Sequence, residues 1–250
     1  MAIAPPGILR RIPPSPPAPP ADYQVLLGSK LRLLFDVRSG GEFAPGRWIS
    51  HGAAVGGIRV RAPSVVRRPR VEVDGFGHFG GAGVIRLSPT NHLCMQAEKI
   101  SNLVPVGTRV EGFLIGRANT LVVTGAVCGV VDTAASTQSG ASFDADASAM
   151  VGYAGGNVPS AFTDTASPHM FSVDLGEDSL KRLRIDNAIV ATGGAGAVTT
   201  ATTQAAVGGF ATGWTSSADF LIAQWGVISP PMTDAERARF LEIARNDWRF

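Results

Sequence analysis

Residues 218–250 read A-D-F-L-I-A-Q-W-G-V-I-S-P-P-M-T-D-A-E-R-A-R-F-L-E-I-A-R-N-D-W-R-F, and this stretch decides the fold. In its first part Phe220, Ile222, Trp225, Val227 and Ile228 are aromatic or β-branched, with Asp219 and Gln224 as the strongly polar exceptions. Such a run favours a pleated backbone, and because both alternating faces are mostly apolar it predicts a strand covered on two sides. Pro230 and Pro231 have no N–H for a ladder and end it. Thr233, with Glu236 three residues on, forms a capping box: the hydroxyl accepts from an orphan N–H while the carboxylate reaches back to the cap. A helix over residues 234–248 is predicted, with Ala238, Leu241, Ala244 or Arg245, and Trp248 on its inner face. Glu236, Arg239, Glu242 and Asn246 fall on the solvated one.

Further toward the N-terminus, L-R-L-L-F-D at residues 31–36 is a second apolar run and a second strand. Val25-Leu26-Leu27 reads with it as an opening strand pair turning at Gly28-Ser29. Between the two ends lie strand candidates at 58–62, 83–87, 93–97, 109–115, 120–131, 149–153, 169–175, 180–191 and 203–208. Many short strands separated by Gly or Pro turns predict an all-β sandwich rather than βαβ units. Apolar runs at both ends of such a domain are expected to enter the sheets, leaving no bare edge between them. In 180–191, Leu183, Ile185, Asn187 and Ile189 alternate with Arg182, Arg184 and Asp186, the pattern of one half-exposed strand. The Ala/Thr/Gly-rich residues 192–206 read as a loop and a weak strand.

Residues 1–21 differ from the rest. They hold eight of the chain's 17 prolines, so they form neither helix nor ladder and are read as an extended arm, with the domain proper at 22–250. At about 3.1 Å per residue such an arm reaches on the order of 50 Å. Ile8, Leu9 and Ile12 are three large aliphatics that a solvating linker has little use for, and Arg10 and Arg11 stand beside them without an acid. Ile8, Leu9, Arg10, Arg11 and Ile12 are therefore the candidate partner-binding residues.

Charged residues make up 17% of the chain, below the usual quarter, which suits a surface set against copies or partners as well as a plain Gly-rich sandwich. A net charge of +2 exerts no global pull toward nucleic acid or membrane. No run reaches the length of a membrane span and the N-terminus lacks a signal-peptide core, so synthesis in a cytoplasm is expected. Cys94 and Cys128 stand in apolar surroundings and read as buried thiols, with their pairing left open.

Several of these segments resemble one family. Gly213, the strand at 220–228, Met232-Thr233-Asp234-Ala235-Glu236-Arg237 and Trp248 resemble the closing "L-S/T-x-x-E-R" strand and helix of concanavalin A-like (LamG-type) jelly-roll domains in tailed-phage virion structural proteins. Leu31 to Asp36 is similar to their "L-x-L-W-L-D-A" start, Arg47-Trp48-Ile49 to "W-x-D/S", and Pro69 with Val71 to Gly75 to "P-x-V-x-F-D-G". Where those domains often carry a hairpin presenting Asn-Gly, this chain has Asp186-Asn187-Ala188. The resemblance implies a concanavalin A-like jelly roll and a place in a virion.

The chemistry-bearing residues are sparse. Glu72 and Asp74 approach the acid array of glucanases on this fold but lack its third carboxylate, and Asp74-Gly75 reads as a turn. His51, His78, His92 and His169 have no metal-ligand spacing. Asp144, Asp146 and Ser148 offer three of the six or more oxygens that Ca²⁺ takes, so a solvated loop is the better reading and no cofactor is expected. Arg59, Arg61, Arg67, Arg68 and Arg70 read as a solvated or partner-facing patch, since few aromatics interleave to stack bases. Of the four tryptophans, Trp214, in a Gly/Thr/Ser loop, is the candidate for glycan contact. The expectation is a non-enzymatic virion protein, a capsid decoration or head fibre anchored by the arm to other virion proteins and forming homo-oligomers. A tail or baseplate lectin-like receptor binder for cell-surface glycans is the alternative, and a glycan hydrolase the third reading.

Overall fold

The computed structural model describes residues 20–37, 47–49, 59–61, 70–73, 79, 83–89, 95–97, 103–122, 125–131, 141–146, 149–154, 156–199, 201–202, 204–209 and 218–250. Helix α1 (Pro20–Leu27) and a 3₁₀ turn (Gly28–Lys30) precede β1 (Leu31–Asp36). Five short strands follow: β2 (Arg47–Ile49), β3 (Arg59–Arg61), β4 (Arg70–Val73), β5 (Gly83–Leu87) and β6 (Met95–Ala97). Then come β7 (Glu111–Thr120), β8 (Gly125–Val131), β9 (Ala141–Asp146), β10 (Ala149–Ala154) and β11 (Asn157–Pro159). The chain continues through β12 (His169–Leu175), β13 (Leu180–Ile185), β14 (Ala188–Ala195), β15 (Gln204–Val207), β16 (Asp219–Ile228) and α2 (Asp234–Trp248).

The strands form two antiparallel sheets of eight, an all-β sandwich. Sheet A runs β14-β13-β12-β7-β16-β5-β4, and β1 also pairs with β16. Sheet B runs β11-β10-β9-β8-β15-β6-β3-β2. Strand β16 lies inside sheet A and, as expected, is covered on both sides, buried from Phe220 to Ile228. It pairs with β7 from end to end, while its other edge is shared: β5 takes Phe220 to Ile222 and β1 takes Gln224 to Ile228. The runs at 31–36 and 220–228 thus close the sheet by pairing with each other.

Side-chain alternation sets the layers. A Cβ on Gly112 of β7 would stand 2.5 Å from the Ala141 Cβ of sheet B, so even-numbered positions here face between the sheets. Glycine is required at this spot because the two sheets approach too closely for a Cβ. Phe35 and Trp225 stack at 5.2 Å, both fully buried. Odd-numbered Phe113 faces the other way and meets Phe240 of α2 at 4.7 Å. Helix α2 therefore roofs the outer face of sheet A. Its cap is the predicted box, with Thr233 accepting from Glu236 N and Glu236 from Thr233 N. Its buried face is Arg237, Phe240, Leu241, Ile243, Ala244 and Trp248. Ala238, expected inside, is exposed.

Two local expectations are corrected. Val25-Leu26-Leu27 is helical, not a strand, and α1 takes in Pro20 and Ala21. Pro20 sits where a missing N–H costs nothing, and Tyr23 and Leu27, four residues apart, turn one face inward while Val25 is 86% exposed. Tyr23 meets Phe240 at 4.7 Å, so α1 and α2 cover the sheet together. The single strand expected at 180–191 is a hairpin of β13 and β14. Asp186 and Asn187 turn it at φ of 49° and 72°, a two-residue primed turn whose twist matches the strands. Asp and Asn are the non-glycine residues that best tolerate these angles. Among the described residues no helix is long and apolar enough to cross a membrane.

Candidate interaction surface

Two polar clusters, one beneath α2 and one at the start of β12, hold the β13–β14 hairpin. The first is buried. Glu111, at the start of β7, is fully enclosed and accepts from Arg237 Nε and Nη2, each at 3.0 Å, and from Met232 N at 2.8 Å. Arg237 further donates to Met232 O at 2.9 Å and to Asp234 at 2.8 Å. Asp174 of β12 lies 4.0 Å from the same guanidinium and takes Arg184 Nε at 2.9 Å. Arg182 bridges Asp174 and Asp178. Burial raises the Glu111 carboxyl above its ordinary range against the pull of Arg237. These groups share one face because Glu111 pairs with Asp174 and Asp174 with Arg182 across neighbouring strands.

The second cluster centres on His169 at the start of β12. Its Nδ1 lies 2.8 Å from Asp186 of the turn and its Nε2 3.0 Å from Asp164. A neutral imidazole has one N–H, so two carboxylate partners favour the cationic ring, which can donate to both. The Asp186 hydrogen bond leads in raising its pKa, with Asp164 adding to it against the cost of burial. The Asp164 carboxyl is lowered, first by the Ala166 N–H and then by His169. Phe162 and Phe171 lie edge-on to the ring at 5.1 and 6.0 Å. Asp186 also accepts from Met170 N at 3.0 Å, and Asn187 donates to Arg237 O at 3.0 Å. The turn is thereby fastened to both β12 and α2.

These contacts fasten α2 and the hairpin to sheet A. A doubly donating imidazolium has no lone pair to act as a base, and Glu111 and Asp174 are engaged by guanidinium groups. What the clusters present to solvent is β14, with Ile189 52% and Val190 42% exposed.

Most sequence-derived candidates fall elsewhere. Ile8, Leu9, Arg10, Arg11, Ile12, Trp214, Ser148, Asp74 and Cys94 lie outside the described residues. Arg59 and Arg61 are on β3, Arg70 and Glu72 on β4 and Trp48 on β2. Trp225 and Trp248 are fully buried in the core. The loop expected at Asp144 and Asp146 is strand β9, where Asp144 pairs with Val151 and Ala126 and is 7% exposed. The physical reason is alternation: Ala141, Phe143 and Ala145 face one way and Ser142 and Asp144 the other, a pattern muted by the small alanines. Among the described residues no three His, Cys, Asp or Glu side chains converge as a metal site would require. Cys128 on β8 is a buried free thiol, raised by burial first and the Asp144 charge second. Sequence reasoning missed Glu111, Asp174 and the engagement of His169, although Arg237 is the arginine of the closing motif.

No family model matches the chain, and no curated protein does. Solved structures share the fold. The binding domain of botulinum neurotoxin DC, in complex with rat synaptotagmin II, superposes at a TM-score of 0.59 with 10% identity, over 86% of this chain and 52% of that one. The botulinum neurotoxin serotype D ligand-binding domain in complex with N-acetylneuraminic acid gives 0.57 and 6%, over 88% and 52%. Trypanosoma rangeli sialidase gives 0.51 and 9%, over 89% and 33%. The chain thus spans a third to about half the length of these proteins. At such identities what is shared is the β-sandwich.

Proposed function

We propose that this chain is a non-catalytic recognition domain and a structural protein of a phage or phage-like particle, placed as a capsid decoration or head fibre. The observation that carries the non-catalytic reading is the commitment of Glu111 and Asp174 to Arg237 and Arg184, which ties these two buried carboxylates to holding α2 and β13 in place. A retaining or inverting hydrolase needs one carboxyl free to give a proton and another free to attack or activate water. The particle reading is supported by the closing strand, cap and helix and by the three N-terminal segments that resemble phage domains. In this reading residues 8–12 of the arm seat on another virion protein.

A lectin-like receptor-binding role is the second reading. It is supported by a fold held in common with a toxin domain solved with N-acetylneuraminic acid. A glycan array paired with a reducing-sugar assay separates the possibilities. Neither binding nor release is expected of a purely structural protein, and binding without release promotes the lectin. Sugar release overturns the non-catalytic reading. A density map of purified particles, with this sandwich on the head surface, tests the placement; a sandwich found only at the tail tip refutes it.

A further inference from the structure

Among the described residues five strands have a ladder neighbour on one side only: β14, β4 and β1 in sheet A, β11 and β2 in sheet B, and of these β1 is buried at every position but Arg32. Three of them carry the usual guards of an open edge. Strand β4 is four residues with Arg70 and Glu72, β2 is three with Arg47, and β11 is three and ends in Pro159. Charge, proline and shortness all hinder another strand from joining. Strand β14 is different. It is eight residues long, A-I-V-A-T-G-G-A, without a charge or a proline, and almost all of it is exposed.

The strand is also held ready. Its inner edge is laddered to β13, and its turn is fastened through Asn187 to α2 and through Asp186 to β12. Register shifts leave Val190 and Gly194 as bulged residues, with Ala191 to Gly193 as the regular centre between them. One strand inward, Arg182 and Arg184 would bring positive charge to whatever docks, but Asp174 and Asp178 neutralise both. Lys181 alternates with Arg182 and so lies on the opposite face.

We propose that β14 pairs antiparallel with β14 of a second copy, so that sheet A runs on through a two-fold dimer. A two-fold contact sets the same patch against itself. A charged edge would then face its own charge, whereas this neutral one meets none. With the axis at Thr192, the centre of the regular part, Val190 of one copy lies across from Gly194 of the other and Ile189 from Ala195. Large exposed side chains thereby cover small ones, and the α2 roofs of both copies stand on the same side of the joined sheet. This inference stands independently of the particle or lectin reading, since it concerns only how two copies meet.

The test is sedimentation equilibrium of the full chain over a micromolar concentration series. The wild type is expected to dimerise. Thr192→Lys and Thr192→Glu are each expected to weaken dimerisation at least about tenfold, since like charges then oppose each other at the axis. An equimolar mixture of the two is expected to restore a dimer, an outcome that a partner strand other than β14 itself would not give. Val190→Lys reads the same loss should either Thr192 variant fail to fold by circular dichroism. A wild type that stays monomeric overturns the proposal. So does a dimer that these substitutions leave unchanged, or one that the mixture does not restore.

Discussion

Replacing Arg237 by Met tests the account of the buried cluster most directly. Methionine keeps much of the side chain's apolar volume beneath α2 but removes four hydrogen bonds to Glu111, Met232 O and Asp234. Glu111 is then left fully buried with the Met232 N–H still donating to it and Asp174 close by. Stranding one member of a buried pair costs about 3–5 kcal/mol, and that is the loss expected at pH 7. The pH dependence follows from burial, which already holds the Glu111 carboxyl above its ordinary range and meets less opposition once the guanidinium is gone. A carboxyl whose pKa is higher folded than unfolded binds more protons when folded, so its contribution to stability grows as pH falls through the folded value. The Arg237→Met deficit should therefore shrink from pH 7 to pH 5. Adding Glu111→Gln should recover much of it, because no buried charge remains. Urea unfolding at both pH values, followed by the fluorescence of buried Trp225 and Trp248, gives the measurement. A deficit under about 1 kcal/mol, one independent of pH, or a double variant no better than the single one would refute the reasoning.

Three further outcomes are expected. His169 has its folded pKa raised by Asp186 and Asp164, so its stabilisation is complete below the unfolded value near 6.5 and lost as pH rises through the folded one. His169→Gln should then cost about 1–3 kcal/mol at pH 6 and less at pH 9, and an NMR titration of the ring checks the shift itself. Gly112→Val forces a side chain onto Ala141, where even a Cβ stands at 2.5 Å, and should destabilise by about 1–3 kcal/mol, read as a lowered Tm. Deleting residues 2–19 should leave a folded domain that no longer joins the proposed particle; normal incorporation of the truncated protein would show that the sandwich makes the contact.

How much could be read in advance depended on whether the cause was local. The strand at 220–228, the prolines after it and the Thr233–Glu236 box are decided by neighbours in sequence, and the structure reproduces them almost residue for residue. Helix α1 carries no such signal. Eight residues show little periodicity, and what fixes it is the contact of Tyr23 with α2, including Asp247 at a separation of 224 residues. The pairing of Glu111 with Arg237 spans 126 residues and leaves no local trace in either segment. The hairpin was obscured because Asp186-Asn187 takes a turn usually announced by glycine. The arm and Trp214 lie outside the described residues, and Asp144 lies on a strand that only the alternation around it discloses.

The position of β16 bears on how the molecule assembles. This inner strand of sheet A follows, in chain order, every strand it joins: β1, β5 and β7 must each wait for it. Its register with β1 brings Leu34 to Gly226, so the inside of the sheet forms from its most distant parts. Pairings of such long range are slow to form, because the loop must close before any contact rewards it. Until then the waiting strands offer unsatisfied backbone to any other chain nearby, the condition in which β proteins aggregate. Cutting the chain before residue 219 would therefore not trim the domain. It would leave three parts of a sheet, β1, the β4–β5 pair and the strands from β7 to β14, with nothing between them.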